Sequence, residues 1–120
     1  MASSYRELIV WQKAMELAEE TYQIVKSLPK EELYVLSDQM RRAAISIPSN
    51  IAEGQARHST KEFANFLSIA KGSVAELHTQ YLLCVKLQYV TKDRIQKALI
   101  LLEEVGKMLN SLISKLSSSN

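Results

Sequence analysis

Only three glycines and two prolines interrupt this chain of 120 residues, and this scarcity of helix breakers is what most constrains its fold. Between the breakers lie long segments in which apolar residues recur at alternating spacings of three and four, the period of an amphipathic helix. Alternation at period two, which a half-buried strand requires, is absent from every long segment. The sequence therefore predicts an all-α protein with helices at about residues 5–28, 31–55, 60–89 and 92–116.

Local signals place the ends of these helices. Pro29 ends the first one, because the residue before a proline is pushed out of helical geometry. Ser59 is expected to cap the third helix, with Glu62 completing a capping box, and Thr91 is the expected cap of the fourth. Pro48 lies inside the second helix, where it removes a backbone donor and clashes with the carbonyl four residues earlier, so a kink is predicted there.

Long helices with short connections pack as antiparallel neighbours, so the chain is expected to form an up-down-up-down four-helix bundle, a single domain over residues 1–120. Gly72 and Ser73 are expected to permit close packing of the third helix. The expected core stripes are Leu8, Trp11, Met15, Ala18, Tyr22 and Val25; Leu36, Met40, Ala43, Ile47 and Ile51; Phe63, Leu67, Ala70, Val74, Leu77, Tyr81 and Cys84; and Ile95, Ala98, Leu102, Val105, Leu109, Leu112 and Leu116.

The first and fourth helices carry more apolar residues than a single core stripe needs. Contiguous exposed apolar area beyond a few hundred Å² marks an interface, so we expect the protein to self-associate. A wide core stripe inside a small monomer is the alternative. The additional residues are Ile9, Val10, Leu17 and Ile24 in the first helix, and Leu99, Ile100, Leu101, Met108 and Ile113 in the fourth.

Charge and cysteine content narrow the classes of partner and compartment. The chain has 15 Lys and Arg against 13 Asp and Glu, and a net charge of +2 is too small for a chain-wide affinity for nucleic acid. The single cysteine, Cys84, fits a reducing cytoplasm and is expected to be a small buried hydrophobe. The N-terminal residues lack the order of a signal peptide, and no apolar run approaches the roughly 18 to 20 residues that span a bilayer, so neither secretion nor a membrane partner is expected.

Local clusters of basic residues are the candidate nucleic-acid-binding surface. Neither cluster has the interleaved aromatic residues of a single-strand groove, and a charged face is often only solvated. RNA or DNA binding and simple solvation therefore both stay open. The clusters are Arg41, Arg57, His58 and Lys61 around the second helix and its turn, and Lys86, Lys92, Arg94 and Lys97 before and within the fourth.

A polar stripe runs beside the apolar one on the second helix. Arg42 and Glu53 lie about 16 Å apart along that helix, so each is expected to find a partner on another helix or subunit, with Glu76 the candidate for Arg42. Such a stripe either fixes the register between helices, as polar residues do in coiled coils, or forms a ligand site; the register role is favoured. The stripe is Gln39, Arg42, Ser46, Asn50 and Glu53, with Gly54 at its end.

Signals of catalysis are weak. Neither His58 nor His78 has a glutamate three residues before it, so a di-iron site of the ferritin type is not expected. The glycines are too scattered for a phosphate-binding loop. No metal, cofactor or catalytic residue is predicted, and a hydrolase built on Glu53, Glu76 and a histidine is the weakest alternative.

Three stretches of this chain form a distinctive pattern: YRELIVWQKAMELAEETY, LSDQMRRAAISIPSNIAEGQAR and EFANFLSIAKGSVAELHTQ. The most specific part is the run from Arg42 to Gly54, which is too long and unusual to arise from helical periodicity by chance. Together the three stretches resemble one bacterial family of four-helix bundles, the 23S rRNA-intervening-sequence proteins.

The resemblance implies an all-helical up-down bundle that assembles into ring-like homopentamers with a central channel, and no enzymatic activity. It also implies relatives among the accessory proteins of diversity-generating retroelements, which are similar basic barrels that bind a reverse transcriptase and nucleic acid. Arg42, Ser46, Asn50, Glu53, Gly54 and Glu76 match the family's motif positions, where a structural role is expected. The family name records where some of its genes lie and does not itself imply RNA binding.

Overall fold

A computed structural model describes residues 4–118, which form long helices packed side by side. Short 3₁₀ turns at Tyr5–Glu7 and Lys30–Glu32 precede the first and second of them. No β-strand occurs within residues 4–118, and the predicted all-α four-helix class is confirmed. The helices are α1 (Ile9–Val25), α2 (Leu36–Gln55), α3 (Thr60–Lys86) and α4 (Gln96–Ser118).

Neighbouring helices run in opposite directions. Along α2 and α3, Met40 lies against Cys84, with 3.6 Å between the sulfur atoms, and Ser46 lies against Ser73, with 2.8 Å between the hydroxyl oxygens. Residue numbers therefore rise along one helix as they fall along the other. The same reversal joins α1 to α4 through the ion pairs Glu20–Arg94 and Lys13–Glu104.

Two helices are shorter at the α1–α2 connection than predicted. The first was expected to reach residue 28 but ends at Val25, because the amides of Ser27 and Leu28 bond to carbonyls only three residues back. The second was expected from residue 31 but begins at Leu36, after the 3₁₀ turn. α2 then continues through Pro48 to Gln55, and the kink at the proline stays a prediction.

The third helix ends at Lys86 rather than near residue 89, because the backbone reverses at Gln88. Gln88 has a φ of 65°, in the left-handed region that favours glycine. The amide of Tyr89 then donates to the carbonyl of Cys84 at 2.9 Å, the long-range bond of a Schellman-type helix end. This geometry stops α3 without any glycine or proline in the sequence to signal it.

The predicted caps form, although one of them lies outside its helix. The hydroxyl of Ser59 accepts the amide of Glu62 at 3.1 Å and donates to the Glu62 carboxylate at 3.3 Å, so the cap of α3 is confirmed. The hydroxyl of Thr91 accepts the amide of Arg94 at 3.2 Å, but this bond closes a turn that precedes α4. α4 begins at Gln96 rather than at residue 92.

The core is one cluster of buried apolar side chains from all four helices. The predicted stripe of α2 is buried throughout, whereas the stripe predicted for α1 is correct only in part: Val25 is buried, and Leu8, Trp11 and Ala18 pack partly buried against the core. Met15 and Tyr22 are 46% and 39% exposed, and Leu17 and Ile24, which were expected to be spare, are fully buried. Val10 of α1 and Leu101 of α4 also belong to the core, so the protomer has less spare apolar surface than predicted.

Thr21 explains the error on α1. This threonine lies in the middle of the face of α1 that is buried, so that face looks polar in the sequence. Its hydroxyl is fully buried and forms hydrogen bonds. It donates to the carbonyl of Leu17 at 2.8 Å and accepts from the hydroxyl of Tyr81 at 2.8 Å. Burial raises the pKa of Tyr81 well above its ordinary value, so the phenol stays a neutral donor.

Close packing of α2 on α3 occurs at Gly54, not at Gly72 as expected. A methyl group built at Gly54 would lie 2.7 Å from Cβ of Phe66 and 3.0 Å from the ring of Phe63. A methyl group at Gly72 would meet no atom within 4 Å. The glycine at the end of the second helix is therefore required by the approach of α3.

We predict opposite effects of alanine at the two helical glycines. Gly54→Ala should lower the free energy of unfolding by about 1 to 3 kcal/mol, because overpacking against Phe66 outweighs the gain in helix propensity. Gly72→Ala should raise it by about 0.5 to 1 kcal/mol, because only the propensity changes. Denaturant unfolding of both variants measures these values, and stabilisation by Gly54→Ala would contradict the close approach.

Candidate interaction surfaces

The centre of the predicted polar stripe joins α2 to α3 through a small hydrogen-bond network. The hydroxyls of Ser46 and Ser73 lie 2.8 Å apart, and Ser73 is only 8% exposed. The amide of Asn50 donates to the carbonyl and the hydroxyl of Ser46, at 2.8 and 2.9 Å. The network satisfies its polar groups inside the bundle, as a contact that fixes helix register requires.

The charged ends of the stripe pair locally instead of reaching another helix. Arg42 donates to Asp38 at 2.9 Å, and Glu53 accepts from Arg57 at 2.8 Å, each pair four residues apart. The expectation that both need partners from another helix or subunit is therefore wrong, because the adjacent turn supplies the opposite charge. Arg42 does not pair with Glu76, and its side chain is 78% exposed.

The three remaining residues of the predicted polar seam lie in different environments. Gln39 is exposed on α2, and Gly54 is buried against α3. Glu76 is exposed on α3 and accepts from the amide of Gln80 at 3.5 Å. Within residues 4–118, the carbonyl oxygen of the Gln80 side chain is buried without a hydrogen-bond partner.

The predicted basic residues divide between the two ends of the bundle. Lys61 and Lys86 mark the two ends of α3, about 37 Å apart at 1.5 Å per residue. The hydroxyl of Tyr89 donates to Glu32 at 2.7 Å, which holds the α1–α2 and α3–α4 connections together at one end and raises the pKa of Tyr89 to about 12. Arg41, Lys86, Lys92, Arg94 and Lys97 lie toward that end, and Arg57, His58 and Lys61 lie at the other.

The arginines that were predicted to bind nucleic acid form ion pairs within the protomer. Arg94 bonds to Glu20 at 2.9 Å, Arg57 bonds to Glu53, and Arg41 lies 4.0 Å from Asp38. Arg57 also lies over the ring of Phe66, with 5.0 Å to the ring centroid. Lysines 61, 86, 92 and 97 are exposed and form no ion pair within residues 4–118. Because three of these four lysines lie toward the α3–α4 connection, that end carries most of the uncompensated predicted charge.

Large apolar side chains reach solvent on the side formed by α1 and α2. Three consecutive residues of the connection between these helices, Leu33, Tyr34 and Val35, are 43%, 87% and 57% exposed. Tyr22 on α1 and Ile45 on α2 are also exposed, at 39% and 46%. A run of three exposed apolar residues on an otherwise packed bundle is typical of a contact surface.

A groove of about 600 Å³ runs between α3 and α4. Val74 and Leu99 are partly buried in it, and Ile100 is 53% exposed. Lys71, His78 and Lys92 line the same groove, so an apolar floor lies beside cationic side chains. Of these, only Lys92 was among the predicted binding residues.

The residues considered as catalytic candidates do not lie close together. Gly54 packs against Phe66, so the adjacent Glu53 lies about 15 Å along α3 from Glu76, at 1.5 Å for each of ten residues. Among residues 4–118, no group of three or more His, Cys, Asp and Glu side chains could hold a metal ion. Cys84 is fully buried, and its burial raises the thiol pKa to about 11, as befits a packed hydrophobe. No helix formed by residues 4–118 is long and apolar enough to cross a membrane.

Comparison with known proteins decides the family. The family model described as 23S rRNA-intervening sequence protein matches residues 6–111, which include all of α1, α2 and α3 and most of α4. The chain belongs to this family. The match agrees with the motif between Arg42 and Gly54, whose Ser46 and Gly54 contact α3 and whose Asn50 bonds to Ser46.

A solved structure supports the family and the fold. It is the 1.70 Å crystal structure of a protein from Bacteroides thetaiotaomicron, described as having unknown function and belonging to the S23 ribosomal protein family. It shares 28% identity with this chain and has a TM-score of 0.81, and the alignment covers 88% of this chain and 98% of that one. No curated protein matches this chain significantly. Nothing in these family comparisons indicates catalysis.

Sequence reasoning missed several residues of these surfaces. Ser73 was noted only as a small residue, although a serine on a buried face is itself a signal that a hydroxyl partner lies opposite. Leu33 and Val35 were assigned to the second helix, so their exposure was not foreseen. No pattern in the sequence indicated that Lys71 lines a groove, because its position beside α4 depends on the tertiary structure.

We predict that the α2–α3 network contributes more to the free energy of unfolding than the hydrogen bond of an exposed hydroxyl does. Ser46→Ala should lower the free energy of unfolding by about 1 to 3 kcal/mol, because the hydroxyl of Ser73 loses its partner in a buried site. Thr79→Ala is the matched control: that hydroxyl is exposed and bonds only to the carbonyl of Ala75, at 2.9 Å. Thermal and denaturant unfolding of the two variants should differ clearly, and equal effects would show that the network is not stabilising.

Proposed function

We propose that this protein is a non-enzymatic scaffold that assembles with copies of itself into a ring, of five subunits as the family resemblance implies. The observation that carries the proposal is the exposure of large apolar side chains on a protomer whose core is already complete. Met15, Tyr22 and Ile45 are each at least 39% exposed while the helices that carry them bury a continuous stripe. Burial of such surface by further copies is the usual reason for its presence.

The ring acts by presenting basic surface to nucleic acid, or to an enzyme that works on nucleic acid. Support comes from the charge at one end of the bundle, where Lys86 and Lys97 are exposed and unpaired among residues 4–118 and lie outside the α3–α4 groove. A protomer with a net charge of +2 attracts phosphates weakly, but cyclic symmetry repeats the same cluster around one axis. A reverse transcriptase is the enzyme that the family resemblance suggests.

A protein partner without nucleic acid is the second candidate. The run Leu33, Tyr34 and Val35 favours it, because exposed aromatic and aliphatic residues anchor protein contacts better than they contact phosphate. In this case the protein is a regulatory adaptor in the cytoplasm. Co-purification of a protein that persists after nuclease treatment, together with no RNA or DNA binding at low salt, would favour the adaptor over the nucleic-acid scaffold.

Self-association is the first expected outcome. Size-exclusion chromatography with light scattering should give a mass of several chains, five for the proposed ring, that holds as the protein is diluted through the micromolar range. Apolar contact is expected to be insensitive to salt, so the mass should persist at 1 M NaCl. A single-chain mass at every concentration would overturn the scaffold.

Nucleic-acid binding is expected to depend on one end of the bundle. Lys86→Glu with Lys97→Glu should weaken binding of an RNA or DNA oligonucleotide and lower the slope of log K against log salt by about 2, because two phosphate contacts are lost. Lys61→Glu with Lys115→Glu makes the same change in net charge at the other end and should leave the slope unaltered. A salt titration by fluorescence anisotropy measures both. Equal loss of oligonucleotide affinity in the two double variants would indicate that the protein attracts nucleic acid only non-specifically, which would contradict binding at one end of the bundle.

A further inference from the structure

The outward side of α1 carries a mixed apolar and acidic strip. Met15, Glu16, Glu19 and Tyr22, here called the α1 strip, are all exposed. Spacings of three and four place them on one side of the helix over two turns. The strip lies away from the core stripe of Ala14, Leu17 and Thr21.

The acidic charge of the α1 strip is uncompensated within the protomer. The other charged side chains of α1 are paired, Lys13 with Glu104 and Glu20 with Arg94, and both pairs lie against α4 and its connection. Glu16 and Glu19 form no ion pair with any residue from 4 to 118. The strip therefore presents two carboxylates next to a methionine and a tyrosine.

The groove between α3 and α4 has the opposite character. Val74, Leu99 and Ile100 supply apolar surface, and Lys71 and Lys92 line the same groove without an ion pair inside the described part of the chain. The remaining charges of the groove are a lysine and a glutamate that pair with each other, Lys107 and Glu103, at 3.2 Å. The groove therefore carries a net positive charge above an apolar floor.

We propose that the α1 strip of one copy docks in the α3–α4 groove of the next. Met15 and Tyr22 contact the apolar floor around Ile100, and Glu16 and Glu19 lie in the positive potential of the groove, whose two ends carry Lys71 and Lys92. Such complementarity of charge around an apolar contact selects the partner and its orientation. Because the groove is lined only by α3, α4 and their connection, and the strip is on the outer side of α1, the two cannot meet within one protomer.

This contact is heterologous, since each copy uses one surface to bind and a different surface to be bound. A repeated heterologous contact closes into a ring or continues as a filament, and a ring leaves no unsatisfied surface. The inference rests on the proposed self-association and adds the two surfaces that carry it. It also explains why α1 and α4 both have apolar residues outside the core.

Single substitutions on each surface test the contact. Met15→Lys places a cation against the basic groove, and Ile100→Glu places an anion against the acidic strip. Either change should weaken association at least tenfold and give mainly single chains in light scattering. Ile69→Glu is the matched control, because Ile69 is exposed to the same 53% as Ile100 but lies outside both surfaces, so its variant should assemble normally. Circular dichroism should show that all three variants keep their helices.

Mixing the two disrupted variants distinguishes the heterologous contact from a symmetric one. The Met15→Lys chain keeps an intact groove, and the Ile100→Glu chain keeps an intact strip, and the introduced lysine and glutamate carry opposite charges. The mixture should therefore form complexes that contain both chains, which neither variant forms alone. A mixture that stays as single chains would overturn the pairing of strip and groove.

The remaining outcomes separate this inference from the proposed function. An unaltered assembly of the Met15→Lys or Ile100→Glu chain overturns the docking while self-association stands. Dissociation of the Ile69→Glu chain overturns it as well, because the effect would then not be confined to the two surfaces. A native chain that is a monomer at every concentration overturns the scaffold itself and the docking with it.

Discussion

The contact of α2 with α3 is the constraint on which the rest of this bundle depends. Gly54 lets the two helices approach so closely that any side chain there would overlap Phe66, and the paired hydroxyls of Ser46 and Ser73 set the register between them. Since the helices are long and antiparallel, this register also determines which residues meet further along, such as Met40 and Cys84. Three residues of the most specific stretch of the family motif, Ser46, Asn50 and Gly54, therefore contribute to this packing.

That contact leaves the functional surfaces elsewhere. Once α2 and α3 are fixed, the opposite side of α3 forms a groove with α4, and the exposed apolar residues of α1 and α2 are left without neighbours in the protomer. Arg57 and Arg94, near helix ends, pair with glutamates, whereas Lys61 and Lys86 at the ends of α3 form no ion pair within residues 4–118. This arrangement of a packed interior and several distinct outer faces is compatible with the proposed scaffold.

Much of the fold could be predicted because helical periodicity and caps are local. The stripe of α2 and the Ser59 cap of α3 were correct, since each depends on residues a few positions apart. The core face of α1 was not, because apolar residues surround more than half of that helix and only its neighbours decide which of them are buried. Thr21 also obscured the core face of α1, because this polar residue can be buried only when the hydroxyl of Tyr81 bonds to it. The local pairing of Arg42 with Asp38 was missed although both lie four residues apart on one helix.

The amino-acid sequence by itself determined the fold class, the Ser59 cap of α3 and the family, because periodicity, capping and a contiguous motif are all properties of neighbouring residues. Only the tertiary structure decided which face of α1 is buried, that Gly54 rather than Gly72 admits a neighbouring helix, and that the basic residues lie at two ends of the bundle. The physical reason is that each of these depends on residues brought together from distant parts of the chain. A spacing along one helix specifies a face of that helix but not which other helix will cover it.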